Sequence, residues 1–201
     1  MRSPSLAARL KTVEMLRRVD DGSAPTPEQF DVLSGLSTYG LSLRDFLYDL
    51  ELDLGNAGLE NLRLTAARAQ MACWVWTRFG PHAPDLDAHF RGIDAEALWE
   101  TGQTERAEAL FEQLTSRYPD LPWGYLLWAG CYWEADSSYQ VGPDYARAEA
   151  IYRRALANAR LGEPSAIRER LQDLVEQRQN PTKRDQIRPL REARLARRRG
   201  L

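Results

Sequence analysis

Two histidines and two aspartates fall within eight residues, His82-Ala-Pro-Asp85-Leu-Asp87-Ala-His89, and both residue types are zinc ligands. A zinc site also needs donors at a spacing that closes a tetrahedron, and partners that orient each imidazole. Prolines at 81 and 84 and histidines seven apart match no such recurring pattern, so the stretch reads as a polar linker, with 81–87 as the best domain boundary. A second acidic group, Asp45, Asp49, Glu51 and Asp53, sets 45, 49 and 53 four apart on one face of a helix. A divalent cation there would require a facing helix with a Glu-x-x-His pair, and none has the right spacing. A solvated acidic face is the expectation, with docking of a basic partner as the next reading. The two cysteines, Cys73 and Cys131, sit in apolar and aromatic surroundings (MACWVW, AGCYWE) and are expected to be buried free thiols. The sequence has no nucleophile motif, glycine-rich phosphate loop or HExxH. Catalysis, cofactor and metal are therefore not part of the expectation.

The elements that would hold these residues read as helices. The chain has 201 residues, 43% hydrophobic and 28% charged, which is enough for one ordinary domain or two small ones with a real core. It carries no uninterrupted apolar run of membrane-spanning or signal-peptide length, so a cytoplasmic protein without a membrane partner is expected. Apolar residues recur at three and four spacing among Ala, Leu, Glu and Arg, while strand patterning is weak. Helices are predicted over 5–19, from Thr26 to about Tyr39, from Ser42 until Gly55 and Gly58 stop it, and over 59–79. Further helices are predicted near 88–101, 103–117, 122–135, 144–160 and 164–178. Thr26-Pro27-Glu28-Gln29 forms a capping box with proline in the first turn.

Within this series one unit is written twice. Arg106-Ala107-Glu108-Ala109-Leu110-Phe111 is repeated as Arg147-Ala148-Glu149-Ala150-Ile151-Tyr152. In the first copy Ala95 and Leu98 precede the turn at Gly102, then Ala107, Phe111 and Leu114 line the second helix and Pro119 closes the unit. In the second copy Tyr125, Trp128, Ala129 and Tyr132 are followed by Ala148, Tyr152 and Ala155. Small residues that let paired helices approach, followed four positions later by an aromatic, match tetratricopeptide repeats, whose period is about 34 residues. The copies here lie 41 positions apart, and the excess fits in the polar loop between Glu134 and Tyr145. The expected fold is all-α: an α-solenoid of antiparallel helix pairs, tetratricopeptide-repeat-like. It divides into an N-terminal helical module (1–80), two helix pairs with a closing helix (81–178) and a basic tail (179–201).

The segments LYDLELDLGNAGLE (47–60), EALWETGQTERAEALFEQL (96–114) and PDLPWGYLLWAGCYW (119–133), followed by DYARAEAIYRRAL, resemble bacterial tetratricopeptide-like proteins that accompany the SEC-C zinc motif. In that group a cysteine-rich zinc tail often follows the repeats. No cysteine follows Asn180 here, so the zinc and its role are not carried over.

A repeat of this kind leaves a concave face for a partner. Tyr125, Trp128 and Tyr132 take the core face of their helix, while Trp123 and Trp133 point elsewhere, either onto neighbouring helices or outward as an aromatic patch for a partner. The residues expected to line the groove are Trp123, Leu127, Trp133, Glu100 and Glu134. Residues 181–201 carry eight basic and two acidic side chains, which leaves 19 basic and 27 acidic ones on residues 1–180. The acidic body favours a basic ligand. The tail, with Arg188, Arg191, Arg194, Arg197, Arg198 and Arg199, is a candidate contact for nucleic-acid phosphate or an acidic protein surface. The functional expectation is a non-catalytic adaptor or scaffold that binds a protein or peptide in its groove. The alternative is an accessory subunit of a nucleic-acid-associated complex.

Overall fold

Helix starts are set by side chains that accept the free amides of the first turn. Ser5, Thr26, Ser42, Asn61 and Asp144 each accept a backbone N–H two or three residues ahead, and Thr26 and Gln29 form a reciprocal capping box. The computed structural model describes residues 5–134 and 143–180. Among them are nine α-helices: α1 (Leu6–Val19), α2 (Pro27–Leu33), α3 (Leu43–Gly58), α4 (Leu62–Phe79), α5 (Pro84–Glu100), α6 (Thr104–Arg117), α7 (Pro122–Trp133), α8 (Tyr145–Leu156) and α9 (Ser165–Gln179). The described residues contain no strand.

Four boundaries differ from the sequence expectation, one of them the end of α8, which stops at Leu156 rather than near 160. The helix predicted from Thr26 to Tyr39 breaks at Gly35, which adopts φ +76°, and resumes as a short 3-10 turn over Leu36–Tyr39. Gly55 does not end α3, which runs on to Gly58. The stretch expected to be a linker is instead the start of α5. Pro84 occupies its first turn, where its missing N–H costs no hydrogen bond. Leu86 and Asp87 are fully buried.

Asp87 explains why this apparently polar stretch is structural. Its Oδ1 accepts from Arg91 at 2.6 Å, and its Oδ2 accepts from the Tyr118 hydroxyl at 2.7 Å and lies 2.9 Å from Arg117 Nε. One carboxylate thereby joins α5 to the end of α6, and its burial is tolerated because every bonding direction is used. A second junction, Arg78 with Asp20 and the Ala24 carbonyl, ties the chain after α1 to α4.

The fold is an α-solenoid. Antiparallel pairs α3/α4, α5/α6 and α7/α8 stack in order, with α9 packed on α7 and α8. α5 contributes Leu86, Phe90 and Ile93 to the apolar cluster on its N-terminal side, and Ala95, Leu98 and Trp99 to the cluster formed with α6–α9. The repeated string behaves as one unit used twice. Ala107 and Ala148 are both completely buried, as are Phe111 and Tyr152 four residues on.

The glutamate of each copy reaches the next element. Glu108 accepts from Trp128 Nε1 and the Tyr132 hydroxyl, both at 2.6 Å, and from Arg147, the arginine of the second copy, at 2.9 Å. Burial, reinforced by Glu108, pushes the Tyr132 hydroxyl pKa well up. Glu149 likewise pairs with Arg153 and with Arg178 on α9.

Candidate functional site

The first helix of each pair contributes residues at three and four spacing to one shared groove: Tyr48, Leu52 and Gly55 on α3; His89, Gly92, Glu96 and Glu100 on α5; Trp123, Leu127 and Glu134 on and just after α7. Contacts fix the register of the stripes. Tyr48 and His89 have ring centroids 4.7 Å apart, and His89 stacks on Trp123 at 5.9 Å with planes 7° apart. Gly92 allows α5 and α7 to approach. A Cβ there would lie 2.9 Å from Leu127 Cδ1 and 3.3 Å from Trp123 Nε1.

Beyond this aromatic end the groove becomes acidic. A cavity of about 300 Å³ is lined by Glu51, Leu52, Arg68, Glu96, Glu100 and Glu134, among others. Four carboxylates face one guanidinium. Arg68 reaches in from α4, its Nη2 2.5 Å from Glu51 and its Nη1 2.8 Å from Glu96. Burial draws the Glu51 carboxyl pKa upward, but the imidazole of His89, with its Nε2 at 3.7 Å, and Arg68 outweigh it, so the pKa lies below the ordinary glutamate value. Burial also disfavours the Arg68 charge, and Glu96 and Glu51 more than restore it. Glu51 and Arg68 thus balance one another, and at the edge of the cavity Glu134 stands 3.9 Å from the guanidinium of Arg170.

The five groove residues expected from sequence are placed differently from one another. Trp123 is 40% exposed at the aromatic end, Leu127 is half-buried beside it, and Glu100 and Glu134 line the acidic cavity. Trp133 does not belong to the groove. It is 4% exposed and its indole N–H donates to the Tyr152 hydroxyl at 3.1 Å, because its angular position on α7 faces α8. The arginines at 188, 191, 194, 197, 198 and 199 lie outside the described residues.

Sequence reading missed Glu51, Arg68, Glu96, Tyr48 and His89 as one site. Asp49 and Asp53 form the solvated face expected of them and pair with Arg9, whereas Glu51 turns the other way, into the groove. His82 is exposed and His89 stands in the aromatic row, so the two histidines do not converge. No group of three or more His, Cys, Asp or Glu among the described residues is arranged to hold a metal ion.

A larger cavity of about 560 Å³ lies between α1, α4, α5 and α6 and is lined by Cys73, Trp74, Asp94, Arg17 and Arg106, among others. Burial pushes the Cys73 thiol pKa up, the reverse of what an activated nucleophile needs. Asp94 is likewise pushed up by burial, while it accepts from Trp76 Nε1 at 2.9 Å.

Residues 95–121 match the tetratricopeptide repeat family model. The matched segment contains the C-terminal end of α5 from Ala95, the Gly102 turn and the whole of α6, which is the first copy of the repeated unit. No curated protein and no solved structure matches the chain. Tetratricopeptide repeats generally mediate protein–protein interaction, and no described helix is long and apolar enough to cross a membrane.

Proposed function

We propose that the protein is a non-catalytic adaptor or scaffold that holds a basic peptide segment of a partner protein along the concave face of α3, α5 and α7. The observation that supports this reading is the two-part lining of that face. Exposed apolar groups, Leu52 and Trp123, lie beside a cavity in which Glu51, Glu96, Glu100 and Glu134 outnumber Arg68. Such a surface suits a segment that combines an apolar anchor with arginine or lysine, and it disfavours an acidic one. It also repels phosphate, so the described body favours a peptide over nucleic acid. The nucleic-acid alternative depends on the tail beyond residue 180.

The test is fluorescence titration of the full chain with synthetic peptides of equal length: leucine with arginines, leucine with glutamates, and arginines without an apolar residue. The first is expected to bind tightest, with affinity falling as salt rises. Trp123→Ala should weaken it by about 2 kcal/mol if Trp123 is an anchor, with little change in melting temperature. Equal binding of all three peptides, or an unaffected Trp123→Ala variant, would count against the groove.

A further inference from the structure

The stack places its last helix at the acidic end of the groove. α9 runs parallel to α7, since the loop before it is held at the start of α7 by the Gly162 N–H donating to the Asp120 carbonyl at 2.8 Å, while Arg170 stands 3.9 Å from Glu134 at the far end of α7. Further along α9, Arg178 lies 3.3 Å from Glu149 at the start of α8. Ten residues of helix separate Arg170 from Asn180, roughly 15 Å at 1.5 Å per residue. The chain therefore leaves α9 about that distance from the rim formed by Glu134. The 21 residues that follow carry eight basic and two acidic side chains and include Leu190-Arg191-Glu192-Ala193-Arg194-Leu195, apolar and basic residues interleaved. An extended segment of that length spans up to about 70 Å, and a flexible one averages roughly 25 Å end to end. Either exceeds the distance to the groove.

Resting on the groove reading above, we propose that residues 181–201 of the same chain occupy this groove, setting arginines against Glu100 and Glu134 and leucines against Leu52 and Trp123. The segment is tethered beside its site, and a short tether holds a ligand at an effective concentration in the millimolar range. A weak basic ligand is enough to fill the groove under that condition, and an external partner must displace it. The tail then acts as a competitor that sets a threshold affinity for partners. The opposite charges of body and tail are thereby partly neutralised within one molecule.

The experiment compares the full-length chain with a full-length form in which Arg188, Arg191, Arg194, Arg197, Arg198 and Arg199 are replaced by Ser. Each is titrated with a fluorescein-labelled peptide of residues 181–201, read by anisotropy at low salt. The serine form is expected to bind the peptide at least about tenfold more tightly than the wild type, because its own tail no longer competes. Adding Glu100→Gln and Glu134→Gln to the serine form should remove that gain. If the double substitution perturbs the fold by circular dichroism, Glu134→Lys alone, at the rim, gives the same readout. Equal affinity of the two forms, with the peptide still sensitive to the glutamates, overturns self-docking and leaves the groove reading standing. No binding to either form, or binding indifferent to the glutamates, overturns both. A wild-type dimer by sedimentation that the serine substitutions disperse would place the tail in a second copy, and overturns docking within one chain.

Discussion

At the scale of single residues, side chains of one type take opposite roles within a few positions. Trp123 and Trp133 bracket the same helix; one flanks the groove and the other fills the contact with α8. The second role has a measurable consequence. Trp133→Ala is expected to cost about 3–5 kcal/mol in urea-induced unfolding, through lost apolar contact and the cavity left beside Tyr152. The Tyr152 hydroxyl, whose pKa burial pushes up to about 12, would also lose its indole donor. A variant that unfolds at the wild-type urea concentration would place Trp133 on the surface. Asp87 teaches the same lesson with the opposite polarity. A charged residue in a proline-rich stretch is among the least exposed in the molecule, because Arg91, Arg117 and Tyr118 converge on it.

At the scale of elements, the repeated string specifies how closely helices pair. Ala107 and Ala148 have no exposed surface, and each lies where its helix meets its partner. Replacing either by leucine should overpack that contact and cost about 1–3 kcal/mol, measured by chemical denaturation. The two variants are expected to lose similar amounts, since they occupy equivalent positions in two copies of one unit. A large loss at one and none at the other would mean that the copies are not equivalent. Glu108 adds a polar version of the same coupling, gathering Trp128, Tyr132 and Arg147 from the following pair.

At the scale of the whole molecule, Arg68 binds three helices around the groove by meeting Glu51 of α3 and Glu96 of α5 from its own place on α4. Arg68→Met would leave two carboxylates poorly solvated without their shared cation, and is expected to cost about 3 kcal/mol at neutral pH. The sign of the pH dependence follows from Glu51. Its pKa in the folded wild type is below the usual 4.5, so its stabilising contribution is present above that value and is lost as pH falls through the lowered one. In the variant Glu51 is buried without that cation and favours the protonated form, so acid relieves its cost. The stability gap between wild type and variant should therefore narrow from pH 7 to pH 4 in urea unfolding. A gap independent of pH would show that the guanidinium contributes packing alone.

The sequence by itself determined the helices, their caps and the repeated unit, because these depend on neighbours within a few positions. Thr26 and Gln29, Ser42, and the alanine–aromatic spacing at 107–111 and 148–152 need no distant information to be read. It also put Trp123 and Leu127 off the core stripe of their own helix, since that follows from helical periodicity alone. What only the tertiary structure decided is which stripes meet and which charges cancel. Glu51, Arg68 and Glu96 are 17 and 28 positions apart, and they converge because α4 packs against both α3 and α5. His89 joins Tyr48 and Trp123 rather than His82 for the same reason. Local sequence sets the phase of each helix, but the pairing of phases between helices is fixed by packing, and a groove is a property of that pairing.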